Sequence, residues 1–256
     1  MKIALIGHGK MGRFIEELAR SAGDEVVLII DEDNRADVRA EDLAAADVAI
    51  EFTRPESAVA NIELALAAGV PIVVGTTGWL ARLPEMTDKT AAAGGALFWA
   101  SNFSIGVNMF FEVAARAAEL ANKYGGYAAS VEEIHHEQKL DAPSGTGITL
   151  AERVGDRLEA YDSWALAGVR SAVPQTRIAP ASAPASGKTP VPITSVREPG
   201  VPGTHTLELS GGVDTLSLKH TAHSRKGFAQ GALTAARWLM GKKGTFTMQD
   251  LLAAED

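Results

Sequence analysis

The sequence predicts an α/β protein, a Rossmann-type parallel-sheet domain into which a second, α+β domain is inserted. Three observations carry this reading. The first hundred residues alternate short apolar runs with Ala-rich helical segments, the rhythm of a parallel sheet covered on both faces. A glycine turn, Gly7-His8-Gly9-Lys10-Met11-Gly12, joins the first run to the first helix. After Asn102 the pattern changes to a long amphipathic helix and then to alternating strands, as expected of a sheet with one free face.

Taken in order, Lys2–Ile6, Glu25–Ile30, Val48–Phe52, Ile72–Val74 and Ala96–Trp99 read as buried strands. Met11–Ala22 sets Phe14, Ile15 and Leu18 on one stripe with Arg13, Glu16, Glu17 and Arg20 facing away. Glu56–Ala68 and Leu80–Ala93 are helical. Beyond them come a helix over Val107–Lys123, a strand over Ala128–His135, a Pro/Gly-marked turn at Asp141–Gly147 and a helix running to about Leu158. Residues 172–192, rich in Pro, Ser and Ala, read as a long loop. Thr204–Leu209 and Asp214–His220 alternate around Ser210-Gly211-Gly212, a hairpin signal, so the second sheet is expected to be antiparallel. Lys226–Met240 is a helix returning to the first domain. The expected division is therefore 1–104 with 225–256 for a dinucleotide-binding domain, and 105–224 for a substrate domain.

Composition narrows the class. Of 256 residues, 46% are hydrophobic and 22% charged, an ordinary globular balance. Cysteine is absent, which excludes disulfides, thiolate metal sites and cysteine nucleophiles. A net charge of −8 argues against nucleic acid and anionic membranes as partners, since both need a dense basic face. No run approaches the ~18 apolar residues of a membrane helix, and the start has no signal-peptide pattern. A cytoplasmic protein is expected, with any anionic ligand held by a local positive pocket.

The glycine turn is a G-x-G-x-x-G between strand and helix. Its glycines let backbone approach a pyrophosphate, and the helix N-terminus offers free N–H groups to it. Asp31 stands at the end of the second strand, 19 residues after Gly12, where a carboxylate can accept from ribose hydroxyls. Asp31-Glu32 repels the extra phosphate of NADP while Arg35 offsets this, so NADH is favoured and NADPH tolerated. Gly75-Thr76-Thr77-Gly78 and Ala100-Ser101-Asn102-Phe103 each follow a parallel strand at its carboxyl end, where open α/β sheets bind ligands. Either loop alone is more often an ordinary turn, and it is their shared position that favours the ligand-binding reading.

A second constellation runs from His135-His136-Glu137-Gln138-Lys139 to Ala142-Pro143-Ser144-Gly145-Thr146. Imidazoles, an ammonium and a helix N-terminus together make an anion pocket containing proton donors, suited to a carboxylate-bearing substrate. Simpler readings stand beside it: Ser144 and Thr146 as helix caps, one histidine as a core residue, Lys139 as a solvated lysine. A metal is not expected, because His135, His136, Glu137, His220 and His223 match no H-E-x-x-H spacing. A third segment, His220–Ala229, falls at the inferred return hinge, where Arg225 and Phe228 could touch cofactor; a basic linker packing on its neighbours is an equal reading.

At Glu133–Thr146 the run E-x-H-H-x-x-K-x-D-A-P-S-G-T resembles the dihydrodipicolinate reductase family, also called 4-hydroxy-tetrahydrodipicolinate reductase. Gly75-Thr76-Thr77, Asn102–Asn108 and His223–Gly231 resemble it too, and the likeness extends over essentially the whole chain. The resemblance implies NAD(P)H-dependent reduction of 4-hydroxy-tetrahydrodipicolinate to tetrahydrodipicolinate, with loss of water, in lysine and diaminopimelate biosynthesis. It implies a homotetramer built through the sheet of the second domain. His135 and Lys139 match the family's proton-transfer residues. His136, Gly145 and Thr146 match substrate-carboxylate contacts, with Ser144 beside them. Gly7, His8, Gly9, Lys10, Met11 and Gly12, with Asp31, Gly75, Thr76, Thr77, Ala100, Ser101, Asn102 and Phe103, fall at the family's cofactor contacts. Two departures are a glycine turn one residue short of the usual G-x-x-G-x-M-G, and Glu51 in a place where Asp is expected.

Overall fold

The structure, a computed structural model, describes residues 1–171, 177–178 and 188–254. It divides into two compact units, Met1–Ile105 with Lys226–Asp256, and Gly106–Arg225.

The first unit opens with β1 (Lys2–Ile6), α1 (Lys10–Ser21), β2 (Glu25–Ile30), α2 (Ala40–Leu43), β3 (Val48–Glu51), α3 (Pro55–Ala67), β4 (Ile72–Val74), α4 (Leu83–Ala92) and β5 (Ala96–Trp99). Alternation along β1 explains the layers. Ile3 and Leu5 face a core completed by Ile15 and Ala19 of α1, while Ala4 and Ile6 face one completed by Ala58 and Ile62 of α3. Pro55 at the first turn of α3 loses no helical hydrogen bond.

The second unit is built on α5 (Ile105–Tyr124), β6 (Ala128–His135), β7 (Asp141–Ala142), α6 (Gly145–Gly155), β8 (Tyr161–Arg170), β9 (Arg177–Ile178), β10 (Thr189–Arg197), β11 (Thr204–Ser210) and β12 (Thr215–Thr221). The chain then returns to the first unit through α7 (Lys226–Leu239), β13 (Gly244–Phe246) and α8 (Met248–Ala253). The first unit's sheet is thereby six parallel strands in the order β13-β5-β4-β3-β1-β2. Its direction of winding reverses at β1, so the switch-point crevice lies at the carboxyl ends of β1 and β3.

The second sheet has the order β12-β11-β6-β10-β8 and is mixed, not antiparallel. The β11–β12 hairpin and the β11–β6 pair are antiparallel as the alternation indicated. However, β6, β10 and β8 run parallel; α6 carries the chain across from β6 to β8, the two strands that flank β10. The expected loop over 172–192 also ends early. Residues 172–176 and 179–187 lie outside the described residues, and β10 begins at Thr189 with Pro190 and Pro192 inside it. Those prolines are tolerated because β10 meets β6 only from Ile193 onward; before that it pairs with β8 alone. With no described strand on that side, two missing N–H groups break no described ladder there.

Candidate active site

In the first unit, β1 leads into Gly7, whose φ of +98° favours glycine. A Cβ on Gly7 would fall 2.1 Å from the Phe52 carbonyl oxygen, and one on Gly12 would fall 2.1 Å from the Gly7 carbonyl oxygen. The space beside Gly9 is open. Gly9 is also the N-cap of α1, with no side-chain cap and no acidic residue in the first turn. Uncapped N–H groups facing an open, Cβ-free cradle fit a pyrophosphate. The adjoining cavity of about 670 Å³ is lined by Gly7, His8, Gly9, Asp31, Thr53 and Arg54 among others. A pyridine dinucleotide fits this arrangement.

The expected cofactor residues divide within it. His8 is tied through Nε2 to Glu16 Oε2 at 2.7 Å, and this bond, with a further one from Arg20, holds the Glu16 carboxyl below its usual value. Lys10 is exposed at the helix start, whereas Met11 packs into the core. Asp31 Oδ1 accepts the backbone N–H groups of Asp33 at 3.0 Å and Asn34 at 3.3 Å. Glu32 pairs with Arg54 at 2.5 Å, and Arg35 donates to Asn61 Oδ1 at 2.8 Å, so Arg35 is committed to α3.

In the Gly75–Thr77 loop, Thr76 is buried. Its hydroxyl accepts the Thr53 N–H at 2.7 Å and donates to Glu51 Oε1 at 3.0 Å. It is a strut between β3 and β4, while Thr77 is exposed. Burial pushes the Glu51 carboxyl upward, against hydrogen bonds from Thr53, Thr76 and Asn61. Ala100 is buried and Ser101 exposed. Asn102 Oδ1 accepts the Ser104 N–H at 2.9 Å, and the Phe103 ring packs between Phe52 and Phe98 at 5.7 and 5.9 Å.

In the second unit, register assembles the site. Across β6–β10 His135 stands opposite Arg197, and across β6–β11 Glu133 stands opposite His205. Opposed residues, and residues two apart on one strand, share a face. The four therefore continue the face that carries Val131, Ile193 and Leu207 into the core beneath α6. At this end of the sheet the apolar face gives way to a polar cluster.

Its centre is Glu133, fully buried. Arg197 donates to both carboxylate oxygens, at 3.1 and 2.9 Å, and to the Asp141 carbonyl at 2.7 Å. His135 Nδ1 is bonded to Glu133 Oε2, and the Ser144 N–H reaches Oε1 at 3.2 Å. Burial alone would raise the Glu133 carboxyl, but the bonds from His135 and Arg197 prevail and hold it at about 2. Burial, with His135 close by, depresses His205 to about 3; the two rings meet edge to face at 5.1 Å.

Ser144 is the N-cap of α6. Its Oγ accepts from Gly147 N–H at 3.0 Å and lies 3.1 Å from His205 Nε2, so its hydroxyl is used internally. Gly145, next along, is exposed with open space beside it, and Thr146 is half-buried. Lys139 Nζ donates to both oxygens of Asp141 at 2.9 and 2.7 Å. His136 Nε2 lies 3.4 Å from an Arg225 nitrogen; burial first, then the Arg225 charge, keeps its imidazole neutral to lower pH.

Sequence reasoning missed Glu133, Arg197 and His205 as site residues. The i, i+2 spacing of Glu133 and His135 was a usable signal; the positions of Arg197 and His205 depended on strand pairing. Glu133, His135 and His205 bring ligand-type atoms within 4.8 Å of one another, but both Glu133 oxygens are already engaged by Arg197 and His135.

Comparison with known proteins places the chain. Residues 1–103 match the family model for the dihydrodipicolinate reductase N-terminus, and residues 106–252 match that for its C-terminus. The 4-hydroxy-tetrahydrodipicolinate reductase of Christiangramia forsetii is 38% identical over 254 residues, covering 99% of this chain and 98% of the relative. That of Lawsonia intracellularis is 31% identical, over 98% and 99%. Among solved structures, dipicolinate-bound dihydrodipicolinate reductase from Paenisporosarcina sp. TG-14 has the same fold, with a TM-score of 0.75 at 23% identity, over 98% and 99% of the two chains. The chain belongs to the dihydrodipicolinate reductase family and is an NAD(P)H-dependent oxidoreductase.

Proposed function

We propose that this chain reduces 4-hydroxy-tetrahydrodipicolinate to tetrahydrodipicolinate with loss of water, in lysine and diaminopimelate biosynthesis. The observation that carries the site assignment is the gathering of His135, His136, Lys139 and the open α6 N-terminus at Gly145-Thr146 at one end of the second sheet. A ring dicarboxylate suits these groups, and the dipicolinate of the Paenisporosarcina relative is of that class.

Loss of water gives a cyclic imine conjugated to an alkene. A dinucleotide held at the glycine turn would supply the hydride to carbon, and protonation removes the negative charge left on the substrate. Lys139, whose ammonium is bonded to the Asp141 carboxylate, is the proton donor; His135 orients the ring and stabilises the developing charge. His136 and the N–H groups at Gly145-Thr146 hold the carboxylates.

NADH is preferred over NADPH. Asp31 and Glu32 line the cavity beside the glycine turn and would repel a 2′-phosphate, while Arg35, which also lines it, donates to Asn61 Oδ1. The working form is a cytoplasmic homotetramer. No described helix is long and apolar enough to cross a membrane.

The test follows nicotinamide absorbance in the presence of purified protein, with substrate formed in situ from pyruvate and aspartate semialdehyde. Oxidation that requires both components supports the reading. NADH binding without oxidation overturns it.

A further inference from the structure

We propose that Glu133 is a positioning residue for the reductase reaction: clamped by Arg197, its carboxylate fixes His135 as the Nδ1–H tautomer and leaves Nε2 as the edge that works on substrate. The inference rests on the proposed function above, in which His135 orients the substrate ring and stabilises the developing charge, a role that the charged ring performs by donating from Nε2.

The clamp is over-determined. Both Glu133 oxygens accept from Arg197, Oε1 also takes the Ser144 N–H, and Oε2 takes His135. Neither the Glu133 nor the Arg197 side chain is exposed. A carboxylate bearing this many donors is ionised and can only accept, so the proton on Nδ1 belongs to His135. The imidazole's remaining nitrogen, Nε2, is then an acceptor in the neutral ring and a donor in the charged one. Beside it stands Gly203, where a Cβ would come within 3.0 Å. The arrangement follows the general logic of a carboxylate that orients an imidazole and stabilises its cation. The register explains why it is rigid: Glu133 and His135 sit two apart on β6, while Arg197 reaches across from β10.

Other charged groups around His135 are His205 from β11, Arg197 from β10, and His136 and Lys139 on the segment after β6. Of these Lys139 has its own carboxylate, Asp141, which leaves Glu133 as the anion that governs the His135 ring.

Two measurements test the proposal. In the unmodified protein, ¹⁵N imidazole shifts separate the two tautomers; among the six histidines, His135 is identified by the signal lost in His135→Asn. A fixed Nδ1–H tautomer is expected, and an Nε2–H or averaged ring overturns the proposal. In kinetics, Glu133→Gln should lower kcat by about 10–100-fold, the usual cost of losing an orienting partner. It should shift the pH profile of kcat, with the substrate KM little changed and NADH affinity intact. Glu133→Gln/Arg197→Met, which removes both charges together, guards against a fold lost through an unpaired buried guanidinium and should show the same shift. Wild-type kcat and pH profile in a folded variant would overturn the positioning role and leave the reductase reading standing. A wild type that never oxidises NADH would overturn that reading, whatever the tautomer.

Discussion

Gly203 lies directly against His135: a side chain built at residue 203 would place its Cβ 3.0 Å from His135 Nε2. Space at that nitrogen is thus set by the absence of a side chain on the segment leading into β11. If Nε2 is the working edge, Gly203→Ala should cut kcat by about tenfold and Gly203→Val by more, since misplacing a reacting group by about 1 Å costs roughly 10²-fold. NADH binding, followed by fluorescence, should be unaffected. Full activity in Gly203→Val would mean that the reaction does not use this edge.

The glycine turn admits a sharper test of cofactor binding. Gly12→Ala forces a methyl to within 2.1 Å of the Gly7 carbonyl oxygen, so α1 must move away from the turn that presents its N-terminus. The NADH dissociation constant should rise at least tenfold, about 1.4 kcal/mol. Gly9→Ala, with open space beside it, should leave the fold intact and act only by crowding the bound nucleotide. Equal, unaltered binding in both variants would remove the turn from the cofactor site.

Nucleotide preference is expected to follow Asp31 and Glu32. Replacing both by serine removes two negative charges from the cavity rim and should move the NADPH-to-NADH ratio of kcat/KM upward by about five- to tenfold, the scale of a single exposed charge contact. An unchanged ratio would assign discrimination to another part of the cavity.

The polar cluster should also limit acid stability. His205, depressed to about 3, stays neutral when folded but takes a proton when unfolded near its ordinary value of 6.5. Its contribution is complete above pH 6.5 and is lost as pH falls toward 3. By pH 5 the loss is about 2 kcal/mol. Glu133, held at about 2, acts lower: its contribution is present above about 4.5 and disappears as pH falls toward 2. Denaturant midpoints should therefore decline between pH 6.5 and 5, and His205→Asn should flatten that decline while leaving the one below pH 4.5. A flat wild-type profile from pH 7 to 5 would contradict the buried neutral His205.

How much of this could be read from sequence depends on range. The first unit was legible because its signals are local: β1, the glycine turn and α1 are contiguous, and their parallel-sheet rhythm repeats. The helix over Ile105–Tyr124 and the β11–β12 hairpin were equally plain. The strand β10 was hidden by Pro190 and Pro192, which fall where β10 pairs with β8 alone among the described strands. Tyr161–Arg170, with two alanines, a glycine and an aspartate, has little intrinsic strand preference. In the site, His135, His136 and Lys139 were visible as one run. Glu133 was visible only as part of the family motif, and Arg197 and His205 join it through pairing across 64 and 72 residues of chain. Ser144 carried a double reading, and its hydroxyl is used within the cap.

The most direct test of the account is the turnover of Lys139→Ala beside wild type, with NADH and substrate formed in situ. Lys139 sits in a turn with its ammonium on Asp141, so truncation removes a proton donor with little effect on the core. A fall in kcat of about 10²–10⁴-fold, with NADH affinity retained, is the predicted result. Turnover near the wild-type rate would contradict the assignment of the proton donor and, with it, the reading of this end of the sheet as the place where the reaction is completed.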